Sequence, residues 1–157
     1  MGLDMYLTKR VYVGAYYNHN NIMGEINLTK GKDNIPIKIN LKRVSEITER
    51  IGYWRKANQI HRWFVENVQG GKDDCGEYYV SEEHLRKLLE ACNKVKQNNK
   101  SAADLLPTAS GFFFGGTDYD EYYLEEIDDT IEIIETIFKE KCDNEYIDGD
   151  IYYQSSW

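Results

Sequence analysis

A chain of 157 residues, 41% hydrophobic with a mean hydropathy of −0.65, is long enough for one buried core and holds no apolar run near the ~20 residues that cross a bilayer. Its net charge of −8 is unevenly divided: residues 1–72 carry 12 Lys and Arg against 6 Asp and Glu, and residues 73–157 carry 7 against 21. The acidic half would repel a polyanion, which argues against long double-stranded nucleic acid as a ligand. The three cysteines, Cys75, Cys92 and Cys142, are odd in number and widely spaced, which argues against a disulfide framework or a zinc cluster.

The start, Met1 to Met5, lacks the basic-then-apolar order of a signal peptide, and a cytoplasmic setting is expected. Leu3, Met5 and Leu7 alternate with polar neighbours, and Val11 to Val13 extends the run, so the chain opens on a half-buried strand. A turn is expected at Tyr16–Asn21, a second strand at Ile22–Thr29, and a third at Ile35–Ile39, where Pro36 confines it to an edge or makes it short. For Val44 to Tyr53 both periods fit; Gly52 and the β-branched residues favour a strand.

Residues 52–65 form the densest cluster of stacking and hydrogen-bonding groups. Read as a helix from about Trp54 to Gln69, the segment puts Ala57, Ile60, Phe64 and Val68 on a core stripe. Trp54, Asn58 and His61 then make a neighbouring row, while Trp63 falls on the polar pole and needs cover from another segment, a second subunit or a ligand. A histidine beside an apolar stripe is more often a hydrogen-bonded structural residue than a catalyst, and both tryptophans read equally well as core or dimer contacts.

Gly70-Gly71 stops that helix, and Tyr78-Tyr79-Val80 is a short extended piece. Ser81 caps a helix over 82–97 with Leu85, Leu88, Leu89, Cys92 and Val95 on one stripe. A short helical turn runs from Ser101 to Leu105, before Pro107. The three phenylalanines 112–114 cannot share one strand face, so at least one is expected to line a cavity or contact, or else Phe112 and Phe114 fill the core and Phe113 a second one. Asp118-x-x-Glu121 starts the longest helix, 119–141, and the tail to Trp157 reads as a docked strand. The class is α+β: an antiparallel sheet from the N-terminal strands joined by the C-terminal one, packed with three main helices in a single domain, 1–157.

Walker, Gly-x-Gly-x-x-Gly, His-Glu-x-x-His and Gly-x-Ser-x-Gly patterns are absent. Asp118, Asp120 and Glu121 with Asp73, Asp74 and Glu77 could gather a hard cation, but caps and solvated acids explain them more simply, so neither a metal nor a cofactor is assigned. Binding suits the central cluster better than catalysis: rings to stack on a base, Arg55 and Lys56 for phosphates, Asn58 and His61 for polar edges. The candidate ligand-binding set is Tyr53, Trp54, Arg55, Lys56, Asn58, His61, Trp63, Phe113 and Tyr119.

The segments Met1–Leu7, Tyr53–Asn58, Ile60-His61, Trp63–Val65, Asp73–Ser81, Leu106–Thr108, Gly111–Gly115 and Tyr153–Trp157 resemble a family of short bacteriophage and prophage proteins. The likeness runs from end to end, with Ala15 to Ile51 unmatched, and it implies a viral origin and a host-cytoplasmic setting without an assigned activity. Three functions follow as expectations. The first is an accessory protein that sequesters a nucleotide-like small molecule such as a host immune signal. The second is a protein–protein inhibitor of a host factor through the acidic C-terminal half. The third is a nucleotide hydrolase using His61 and the acids at 73–77. A homodimer is expected from Trp63 and the charge division.

Overall fold

The computed structural model describes residues 2–14, 18, 27–142 and 149–157. Apart from Asn18, the turn expected at 16–21 lies outside the described residues, as does the second strand before residue 27. The elements are β1 (Asp4–Tyr12), β2 (Leu28–Lys30), β3 (Ile35–Ile37), β4 (Glu46–Arg55), α1 (Asn58–Asn67), β5 (Glu77–Val80), α2 (Glu82–Gln97), α3 (Ala102–Leu105), α4 (Glu121–Cys142) and β6 (Asp150–Ser156). The class is α+β, with the N- and C-terminal strands side by side in one antiparallel sheet of order β4-β1-β6-β5.

Period-2 alternation puts Met5 and Leu7 of β1, Trp54 of β4, Val80 of β5, and Ile151 and Tyr153 of β6 on one face. Helices α1, α2 and α4 bury that face with Ile60, Phe64, Leu85, Leu88, Cys92, Ile127 and Ile134. Cys92 is core, and burial pushes its thiol up to about 12. Lys9 lies on the same face, nearly buried, and reaches Glu49 at 2.5 Å. The opposite face carries Tyr6, Tyr53, Tyr79 and Tyr152, with the Arg50 guanidinium over Tyr6 and that of Arg10 over Tyr152.

Three expectations need correction. The strands at 28–30 and 35–37 do not join this sheet; they pair only with each other, and their apolar residues Leu28, Ile35 and Ile37 stay exposed. The central helix starts at Asn58, four residues later than expected, because Met5 and Asp4 hold Trp54 and Arg55 in the β ladder. Lys56 then breaks the strand at φ +65°, a left-handed conformation that a sequence without glycine there does not advertise. The long helix is capped by Asp120, whose Oδ1 accepts from the Tyr123 N–H at 3.1 Å, and not by Asp118. Ser81 does cap α2, in reciprocal hydrogen bonds with His84.

Candidate functional site

Where β4 gives way to α1, a cleft of about 440 Å³ opens. Its walls come from the β4–α1 turn (Arg55, Lys56, Asn58, Gln59), the loop before α4 (Thr108, Gly115, Gly116, Asp118, Asp120) and the first turns of α4 (Tyr122, Tyr123, Glu126). Its volume lies within the roughly 300–1,000 Å³ typical of small-molecule sites. Two loops meet here because Asn58 fastens them: its Nδ2 donates to the Phe114 and Gly116 carbonyls at 3.1 and 2.7 Å, and its Oδ1 accepts from the Ala109 N–H at 2.8 Å. The backbone of Lys56 adds a second tie, with its N–H on the Leu3 carbonyl at 2.8 Å.

The electrostatics of the cleft are two-signed. Arg55 and Lys56 form no ion pair among the described residues, and α1 begins beside them without a side-chain cap, so its N–H groups add positive potential. The other wall holds Asp118, Asp120 and Glu126. Glu126 is half-buried and its Oε2 accepts from Gln59 Nε2 at 3.0 Å. Desolvation pushes its carboxyl up to about 7; the Gln59 hydrogen bond pulls it down, and Asp129, Asp120 and Glu125 push it further up. The main chain under Glu126 is fixed by Thr130, whose hydroxyl donates to the Glu126 carbonyl at 2.6 Å and accepts from Trp54 Nε1 at 2.9 Å.

A carboxyl raised in the fold costs stability once it must ionise. The unfolded glutamate titrates near ~4.3, so the cost is absent below that pH and complete above the folded value of about 7. Glu126→Gln is therefore expected to be more stable than the parent at pH 8 by about 1 kcal/mol, after discounting for solvent screening, and no more stable at pH 4. Melting temperatures at the two pH values check this; an equal gain at both would remove the charge as its cause.

Arg55, Lys56 and Asn58 line the cleft, and Tyr119 stands at its edge, its ring 5.0 Å from that of Tyr123 and its hydroxyl 3.4 Å from the Thr108 N–H. The other five expected residues are elsewhere. Tyr53 is on the opposite sheet face, donating to Asp4 Oδ1 at 2.5 Å. Trp54 and Trp63 are core; Trp63 is 8% exposed, so the chain covers it and it calls for no second subunit. Phe113 and Phe112 are exposed, stacked edge-on at 4.4 Å, and only Phe114 of the three is buried. Asn58 has both carboxamide ends engaged by backbone, so it holds the wall and reads no ligand edge.

His61, 1% exposed, is bonded through both ring nitrogens, Nδ1 to Tyr153 Oη at 2.8 Å and Nε2 to Asp73 Oδ2 at 3.0 Å. Asp73 Oδ1 in turn accepts from Trp157 Nε1 at 3.0 Å, and the Phe114 ring meets the imidazole edge-on. Both imidazole nitrogens are thus occupied within the chain, and the structure brings together His61 and Asp73, two of the residues that the hydrolase expectation names. Among the described residues, no three His, Cys, Asp or Glu side chains converge on a metal-sized site, and no helix is long and apolar enough to cross a membrane.

Sequence reasoning missed Gln59, Tyr122 and Glu126. Glu126 left a signal: it shares the buried row of α4, three residues after Tyr123 and four before Thr130, where an acid needs a reason. No family model, curated protein or solved structure matches the chain.

Proposed function

We propose that the chain binds a nucleotide-like small molecule in the cleft at the start of α1. In keeping with the bacteriophage resemblance, it does so as an accessory protein that withholds such a molecule from the host. The observation that supports this is the pairing of Arg55 and Lys56, without ion-pair partners among the described residues, at the uncapped start of α1 and the wall of a 440 Å³ cleft. A phosphate takes the cations and helix N–H groups. A base lies toward Tyr122, whose ring is 74% exposed and open to stacking.

The test is thermal unfolding against mono-, di- and cyclic nucleotides and ADP-ribose derivatives. A ligand at 100 times its dissociation constant adds about 2.7 kcal/mol of stability. Arg55→Ala is expected to weaken the hit roughly 10- to 100-fold, the loss of one charge-assisted contact. A panel without any shift, or a hit indifferent to Arg55→Ala, would move the reading elsewhere.

One observation favours the alternative of a protein–protein inhibitor. Helix α4 turns Glu121, Glu125, Asp128, Asp129, Glu132 and Glu135 outward, all six of them exposed, and Lys96 on Asp128 at 2.5 Å is the neutralising partner seen on this face. Such a stripe suits a basic partner surface. Reversing Asp129 and Glu132 to lysine should then abolish partner binding while leaving nucleotide binding intact.

A further inference from the structure

Resting on the cleft reading above, we propose that the base it selects is guanine, held by its adjacent ring N–H and exocyclic amine on the carboxylate of Glu126, with the phosphate of a mononucleotide on Arg55 and Lys56. The basis is an inventory of what the cleft leaves unoccupied. Asn58 is consumed by backbone, and Gln59 donates to Glu126 Oε2, which fixes the carboxylate in place. Glu126 Oε1 has no partner among the described residues, and the half-buried carboxylate lines the cleft. A carboxylate accepts only, so the base edge facing it must donate. Guanine presents two parallel donors that match a carboxylate's two oxygens. Adenine and cytosine place an acceptor beside their single amine, and that acceptor would face an oxygen with like partial charge.

Titration supports the same assignment. The groups around Glu126 are Asp118, Asp120, Glu125 and Asp129 of α4 and its leading loop, Gln59 of α1, and, across the cleft, Arg55 and Lys56, with Tyr122 and Tyr123 beside it. Desolvation and the neighbouring acids hold the carboxyl near 7, so at neutral pH it is divided between two forms and only the ionised one accepts both guanine donors. Guanine binding should therefore tighten from pH 6 to pH 8 by more than the phosphate's own ionisation explains.

The experiment is titration calorimetry of the full chain with GMP and AMP at pH 8, using the parent, Glu126→Gln and Arg55→Ala. GMP is expected to bind at least tenfold tighter than AMP. Glu126→Gln is expected to abolish the preference for GMP, weakening GMP and strengthening AMP because an amide offers adenine's edge a donor as well as an acceptor, and Arg55→Ala to weaken both by the same factor. If GMP and AMP bind alike in the parent, or if Glu126→Gln keeps the preference, the guanine assignment is overturned while the cleft reading stands. If neither nucleotide binds, or Arg55→Ala weakens neither, both are overturned. A melting curve of each variant separates lost binding from lost folding.

Discussion

Asn58→Ala is expected to lower the unfolding free energy by about 3–5 kcal/mol, among the largest effects a single polar side chain can have. The residue is 2% exposed, and its amide satisfies two carbonyls and one N–H from the 109–116 segment. Each buried group left unpaired costs about 1–3 kcal/mol, and water that enters the partly open side recovers some of it. Alanine is the better helix former, so propensity at the first position of α1 works against the loss and does not cause it. Asn58→Asp should do no better, because a carboxylate would face the Phe114 and Gly116 carbonyls without a donor. Denaturant titration reads the change as a shifted midpoint at constant slope. A loss under about 1 kcal/mol would mean that the 109–116 segment is held by other contacts. The same variants should lose cleft binding, since Gly115 and Gly116 belong to its wall.

The second large effect is expected at Tyr153, fully buried with its ring stacked on Phe64 at 3.9 Å and 9° and its hydroxyl on His61 Nδ1. Tyr153→Ala should cost about 3–5 kcal/mol, as removal of a packed aromatic does. Tyr153→Phe keeps the stack and isolates the hydroxyl, at about 1–3 kcal/mol, because it strands a buried imidazole nitrogen. His61→Leu strands the phenol instead, and burial already holds that phenol well above its usual range, so it will not ionise to escape. Removing both partners leaves neither end of their shared bond stranded, and the Asp73 carboxylate, which also loses His61, is 31% exposed and can turn to water. The double variant His61→Leu/Tyr153→Phe should thus cost less than the two singles together, and strict additivity would show that the bond carries no coupling.

Much of this architecture was legible from residue spacing. Ser81 with the Leu85, Leu88, Cys92 and Val95 stripe places α2, alternation places β1, and for β4, where both periods fit, Gly52 and the β-branched residues decide for a strand. The cleft was legible only in part. Arg55 and Lys56 stood out as cations, but the helical period was extended back over Trp54, since a left-handed break at a lysine has no compositional mark. For Asn58 the spacing marks the right chemistry but cannot tell whether an amide's partners are backbone or ligand, and here they are backbone. His61 shows the same limit, its partners Asp73 and Tyr153 lying 12 and 92 residues away. Glu126 belongs to a row that reads as core, and only the folded cleft shows that one end of that row is wet.

The inner position of β6 has a consequence for biosynthesis. Strand β1 is flanked by β4 and β6, so its ladder to β4 can form once residue 55 has emerged, but its other edge stays open until residues 150–156 arrive. At translation rates of about 5–20 residues per second, that is an interval of roughly 5–20 s in which an unpaired edge and the apolar face of Met5 and Leu7 stand uncovered on the ribosome. Nascent chains crowded on one message could pair edge to edge during it, so β1 is the segment on which a holding chaperone would act.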